Sequence, residues 1–104
     1  MLTFLKNLFS SAPGPDYRQL VKAGAVILDV RTRGEYQGGH IKGSINMPLN
    51  EIPNSASRLD KHKPVITCCA SGMRSGTAKG MLKDMGFAEV LNGGSWSSLN
   101  AKLV

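Results

Sequence analysis

Two cysteines, Cys68 and Cys69, stand side by side near the middle of the chain, with Gly72 and Arg74 just beyond them. A thiol is a weak nucleophile and a thiolate a strong one, so a working cysteine needs surroundings that lower its pKa. The flanking sequence can supply them. Pro64-Val-Ile-Thr-Cys68 is an apolar run rich in branched residues, as in a strand buried on both faces. Ser75 to Met85 reads as a helix, with Ala78, Met81, Leu82 and Met85 on one core-facing side. Ala70 to Met73 is then a tight loop between strand and helix. Such a loop turns successive N–H groups inward as an anion-binding nest, and the helix start adds partial positive charge. Gly72 lets the loop curl, and Arg74 brings a permanent charge. All of these favour a thiolate at Cys69. The plain alternative, a small buried hydrophobe at a strand end, is equally common by position alone; the glycine loop and following helix weigh toward chemistry. Cys68, as the last strand residue, should point away from the loop and pack in the core.

The rest of the chain must position that loop. Asp16 is a plausible N-cap for a helix over Tyr17 to Ala23, stopped by Gly24. Ala25 to Val30 reads as a buried strand, Thr32 to Gln37 as a short helix, Ser44 to Met47 as a second strand and Ser55 to Lys61 as a weak helix. After the cysteine segment, Ala88 to Leu91 reads as a further strand, Asn92-Gly93-Gly94 as a turn and Ser97 to Leu103 as a closing helix. Gly76 and Gly80 weaken the central helix and point to close packing on a sheet. Strands alternating with helices predict a three-layer α/β/α domain on a parallel sheet. In such sheets ligands sit beyond the carboxyl ends of the strands, which is where Cys69 falls.

Composition narrows the classes. The chain has 104 residues, enough for one domain with a modest core. Ser10 to Pro15 is rich in helix breakers and separates a short apolar N-terminal segment, with Leu2, Leu5, Leu8 and Phe9 on one helical face, from the rest. The predicted division is therefore 1–14, helical segment and linker, and 15–104, the domain. No run approaches the roughly 20 apolar residues of a membrane span, and no membrane contact is expected. A net charge of +6 favours small anions; the lysines are too scattered to suggest nucleic acid. Adjacent cysteines make a strained and useless staple, which suits a reducing, cytoplasmic setting. Two cysteines with the distant His40 and His62 do not form a zinc pattern, so neither metal nor cofactor is expected.

Three segments together carry a resemblance. Pro64-Val-Ile-Thr-Cys-Cys-Ala-Ser-Gly-Met-Arg-Ser75 resembles the active-site segment of single-domain rhodaneses, a strand followed by Cys, two residues, Gly, one residue, Arg and Ser. Leu28 to Leu49, with Asp29-Val-Arg31, Glu35-Tyr36 and Gly39-His-Ile-Lys-Gly-Ser44, resembles the family's upstream signature. Gly86-Phe87 with Val90-Leu-Asn-Gly-Gly94 resembles its C-terminal turn. The resemblance implies a rhodanese-like fold with five parallel strands. The family's short first strand has no counterpart before Tyr17, so four to five are expected. It implies transfer of sulfane sulfur from a small anionic donor such as thiosulfate or polysulfide to cyanide, a thiol or an acceptor protein. The carrier would be a persulfide on Cys69, held by Ala70, Ser71, Gly72, Met73 and Arg74, with Asp29, Arg31 and Ser75 in support. Ala70 and Ser71 stand where members specialised for thiosulfate often carry basic residues, which weighs against thiosulfate as the natural donor. Trp96 lies closer to Gly94 than is usual in the family. Two rivals stand beside this reading. Cys68-x5-Arg74-Ser75 also fits a phosphatase loop, found in phosphatases and arsenate reductases on the same fold, although no general acid is evident. A non-enzymatic sulfur-carrier or partner-binding domain is the other.

Overall fold

The computed structural model describes residues 14–104. The expected N-terminal helical segment therefore lies almost wholly outside the described residues. Four short strands, β1 (Val26–Asp29), β2 (Ile45–Asn46), β3 (Val65–Cys69) and β4 (Val90–Ser95), form one parallel sheet in the order β2-β1-β3-β4. Parallel neighbours need crossover connections, and these cover both faces of the sheet. Helices α1 (Tyr17–Lys22) and α5 (Trp96–Leu103) pack on one face. Helices α3 (Ile52–Ser55) and α4 (Met73–Asp84) pack on the other. The short α2 (Arg33–Gln37) follows the carboxyl end of β1. This is the expected α/β/α architecture with four strands among the described residues.

The pleat of β3 decides which residue meets which layer. All five of its residues are buried. Val65 and Cys69 join the cluster with Leu28, Ile52, Ala78 and Leu82, whereas Ile66 and Cys68 join Tyr17, Ile27 and Leu99 on the other side. Period-two alternation thus sends the two neighbouring cysteines to opposite faces. Leu82 and Leu99 are completely buried, one on each face; truncating either to alanine should cost roughly 2–5 kcal/mol.

Three elements depart from the sequence reading, each for a local reason. The helix expected over Ser55 to Lys61 is instead α3 just before it, with Pro53 in its first turn, where a missing N–H is harmless, followed by a single 3-10 turn over Ala56–Arg58. Helix α4 begins at Met73 rather than Ser75, so the loop proper is Ala70 to Gly72 and Arg74 lies in the first helical turn. Asn92-Gly93-Gly94 is not a turn but the middle of β4. There Thr67 pairs with Asn92 and Cys69 with Ser95, so β4 carries one extra residue opposite the end of β3. Gly93 permits this approach: a Cβ there would lie 2.9 Å from Ile66 Cγ2, from Leu99 Cδ2 and from the Thr67 carbonyl oxygen.

Candidate functional site

Cys69 closes β3 and its side chain turns back under the start of α4. Its Sγ accepts hydrogen bonds from the Gly72 N–H at 2.9 Å and the Ser75 N–H at 3.4 Å. Gly72, the N-cap of α4, has φ +103°, which glycine adopts freely, and no side chain caps the helix. The cysteine sulfur takes the place of a capping oxygen, satisfying the N–H of the helix's third residue. Cys69 is completely buried, and so is Ser75, whose Oγ lies 3.4 Å from the sulfur. Burial alone would raise the thiol's pKa. It is outweighed by the Ser75 hydroxyl and by the N–H groups of Ser75, Gly72 and Ser71, so the net shift is downward.

Cys68 has the opposite surroundings. Burial first, then the nearby Asp29 carboxylate, push its thiol up to about 12. Both thiols are free. One thiol is favoured toward ionisation and the other is held toward its neutral form in the core.

A second layer holds the loop. The Ser75 hydroxyl lies 2.6 Å from Asn92 Oδ1 and 3.1 Å from the Gly72 carbonyl. Asn92 Oδ1 also accepts from the Gly94 N–H at 2.9 Å, and Asn92 Nδ2 donates to the Gly72 carbonyl at 3.2 Å. The Thr67 hydroxyl bonds the Ser75 carbonyl at 2.9 Å, anchoring the first turn of α4 to β3. At the rim, Ala70 and Ser71 are exposed, and Met73 is 81 % exposed.

Arg74 does not reach into the loop. Its guanidinium makes a two-pronged bond to Glu35, at 2.7 and 2.9 Å. Glu35 is itself fixed by Thr32 in a capping box at the start of α2. Arg74 first, then the Thr32 N–H, lower the Glu35 carboxyl to about 2. Asp29 and Arg31 also stay off the sulfur. Arg31 binds both Asp29 oxygens, donates to the carbonyls of Gly39 and Glu35, and lies 4.8 Å over the ring of Trp96. The pair therefore ties β1, the α2 segment and the β4–α5 junction together, and gives Trp96 its packing site. Glu35 and Asn92 were missed as site residues. The signal for Glu35 was its place three residues after Thr32; Asn92 was hidden by the Gly-Gly after it, which suggested a turn.

The model of the rhodanese-like domain family matches residues 15–101. This chain belongs to the rhodanese-like family. The relatives of this rhodanese-like domain include the Escherichia coli (strain K12) protein YibN, 37 % identical over all of this chain and 80 % of YibN. The thiosulfate sulfurtransferase GlpE of Stutzerimonas stutzeri is 34 % identical over 83 % of this chain and 81 % of its own. Among solved structures, a rhodanese with anions from E. coli superposes with a TM-score of 0.68 at 36 % identity, covering 72 % of this chain and 91 % of that one. Human single-domain sulfurtransferase TSTD1, at 24 % identity and a TM-score of 0.71, shares the fold over 82 % of this chain and 89 % of its own. Among the described residues no helix is long and apolar enough to cross a membrane.

Proposed function

We propose that this rhodanese-like domain is a sulfurtransferase that carries sulfane sulfur as a persulfide on Cys69. The observation that supports this most directly is the sulfur's position as the cap of α4, bonded by the Gly72 and Ser75 N–H groups with its pKa lowered. The thiolate attacks the outer sulfur of a donor such as thiosulfate. A new S–S bond forms, the donor's S–S bond breaks, and sulfite leaves with the bonding pair. The added sulfur lies about 2 Å beyond Sγ, and the inward N–H groups of the loop stabilise its negative charge. An acceptor thiolate or cyanide then attacks this outer sulfur and leaves as persulfide or thiocyanate, returning Cys69 as thiolate. A site whose nucleophile is wholly buried suits delivery of a single sulfur atom better than a phosphoryl group with three oxygens.

On the donor side, the loop residues Ala70, Ser71 and Met73 carry no charge and Arg74 is neutralised by Glu35. This favours polysulfides and low-molecular-weight persulfides over the dianion thiosulfate. On the acceptor side, the exposed Met73 beside the loop suits an acceptor protein, and one relative, YrkF of Bacillus subtilis, is named a putative sulfur carrier protein. Two free thiols fit a reducing, cytoplasmic setting, with residues 15–104 as the working domain and 1–14 as an appendage. The phosphatase reading would need Cys68, whose thiol faces α1 and α5.

Mass spectrometry after polysulfide or thiosulfate treatment tests the proposal. One added sulfur on wild type and none on Cys69→Ser is the expected result. Turnover of p-nitrophenyl phosphate without any sulfur adduct would overturn it.

A further inference from the structure

The hydrogen-bond count around Ser75 does not close without a choice. The Asn92 carboxamide has a fixed orientation: the Gly94 N–H must face its oxygen and the Gly72 carbonyl must face its nitrogen. Ser75 Oγ, 2.6 Å from that oxygen, can make so short a contact only by donating its one proton to it. A Ser75 lone pair then faces Cys69 Sγ at 3.4 Å, where it can accept from the thiol. Once the thiol ionises, that lone pair opposes the negative sulfur. The serine proton must turn from Asn92 to the sulfur for the hydroxyl to stabilise the thiolate.

We propose that Asn92 is a positioning residue of the sulfur-transfer site: it competes with the Cys69 thiolate for the Ser75 hydroxyl proton and thereby sets how readily Cys69 ionises. The inference rests on Cys69 being the sulfur carrier. It assigns a role to a residue on β4 that touches neither sulfur nor substrate and acts only through Ser75. Asn92 stands opposite Thr67 in the regular part of the β3–β4 register, just before the extra residue of β4, and Thr67 itself bonds the first turn of α4. There a Cβ on Gly76 would lie 3.2 Å from Asn92 Nδ2, so the glycine leaves space for the carboxamide.

Other charges near Cys69 are already committed. Arg74 and Glu35 hold one another at the rim, and Asp29 and Arg31 are paired beyond Cys68. The residues of α3, of the turn after it and of α4 that cluster with Cys69, namely Ile52, Ala56, Ala78 and Leu82, are apolar. Changing Asn92 alters none of these.

The test is the pH midpoint of Cys69 alkylation by iodoacetamide, measured in a Cys68→Ala background so that one thiol reports. Asn92→Ala removes the closer of two competing acceptors and leaves only the Gly72 carbonyl, at 3.1 Å, against the thiolate for the Ser75 proton, so the midpoint should fall by up to about one unit. Asn92→Asp strengthens the competitor and adds negative charge, so the midpoint should rise. In a Ser75→Ala background the Asn92→Ala shift should disappear. A purely structural role, loosening the loop through Gly72, predicts a rise for both variants and the same shift with or without Ser75. A midpoint that does not fall in Asn92→Ala, or a fall that persists undiminished in Ser75→Ala, overturns the proposal. Should Asn92→Ala fail to fold, an unchanged or lower midpoint in Asn92→Asp overturns it as well. Persulfide detection on the wild type keeps the two questions apart: its absence would remove the sulfur-transfer reading while the alkylation midpoints still report on Asn92.

Discussion

At the scale of single residues, the site is a division of labour between two identical side chains. Cys69 should alkylate with a midpoint below the unperturbed thiol value of about 8.5, because donors outweigh burial there. Its pKa is depressed, so reactivity rises with pH through the folded-state value and is full above it; a midpoint at or above about 8.5 would sink this reading. Cys68→Ser should retain most sulfur transfer and Cys69→Ser none, as read by thiocyanate formation; the reverse pattern would move the chemistry to the other face of the sheet. Arg74 and Glu35 form a third residue-scale case. The guanidinium is spent on the carboxylate, so Arg74 does not grip a donor. Arg74→Ala and Glu35→Gln should therefore each leave the Michaelis constant for thiosulfate within about fivefold of wild type. A far larger effect of Arg74→Ala alone would show that the arginine binds the donor directly. With its folded pKa near 2, Glu35 contributes stability above its unfolded value of about 4.3 and loses it as pH falls toward 2, so the pair is intact at neutral pH.

Elements hold these residues in place, and the Asp29–Arg31 pair is where most of them meet. Arg31 is 4 % exposed and Asp29 is fully buried. Arg31→Met keeps much of the side chain's bulk but leaves a buried carboxylate without its charge partner, and removes the Arg31 donor from the Gly39 carbonyl. Loss of about 3–5 kcal/mol in urea unfolding is expected, with the α2 segment, and hence Glu35, loosened; a loss under about 1 kcal/mol would mean the pair is not a tie. These elements were unequally legible in the sequence. The path from β3 through the loop to α4 was readable because Val65 to Cys69 alternates between two buried faces, and Ala78, Met81, Leu82 and Met85 recur at helical spacing. The start of α4 was misplaced by two residues because its cap is a cysteine sulfur, three positions before the N-cap glycine, and no Ser, Thr, Asp or Asn announces it. The strand character of Asn92-Gly93-Gly94 was invisible because it depends on Ile66, Thr67 and Leu99 closing around Gly93. Glu35 and Asn92 escaped notice for a related reason. Each meets its partner across a long stretch of chain, 39 residues to Arg74 and 17 to Ser75, and local spacing carries no trace of such pairs.

On the scale of the whole molecule, charge must do what no single side chain does. The chain carries a net charge of +6, yet the arginine nearest the sulfur is neutralised by Glu35 and the loop itself is uncharged. On the proposed sulfur-transfer reading, attraction of an anionic donor would therefore come from the summed field rather than from a contact. Such attraction has a recognisable dependence on salt, because the screening length shrinks from about 30 Å at 0.01 M to about 10 Å at 0.1 M ionic strength. It also scales with the charge on the ligand, since the interaction energy is linear in that charge. For thiosulfate, a dianion, kcat/KM at saturating acceptor should fall by roughly three- to tenfold over that range of salt. For a monoanionic hydropersulfide donor, the fall on a logarithmic scale should be about half as steep. Arg74→Ala and Glu35→Gln, which change the net charge by one in opposite directions, should move the slopes only slightly and in opposite senses. A kcat/KM for thiosulfate that does not change with salt, or equal slopes for the two donors, would remove long-range attraction from the account. The excess of lysine and arginine would then serve solubility alone.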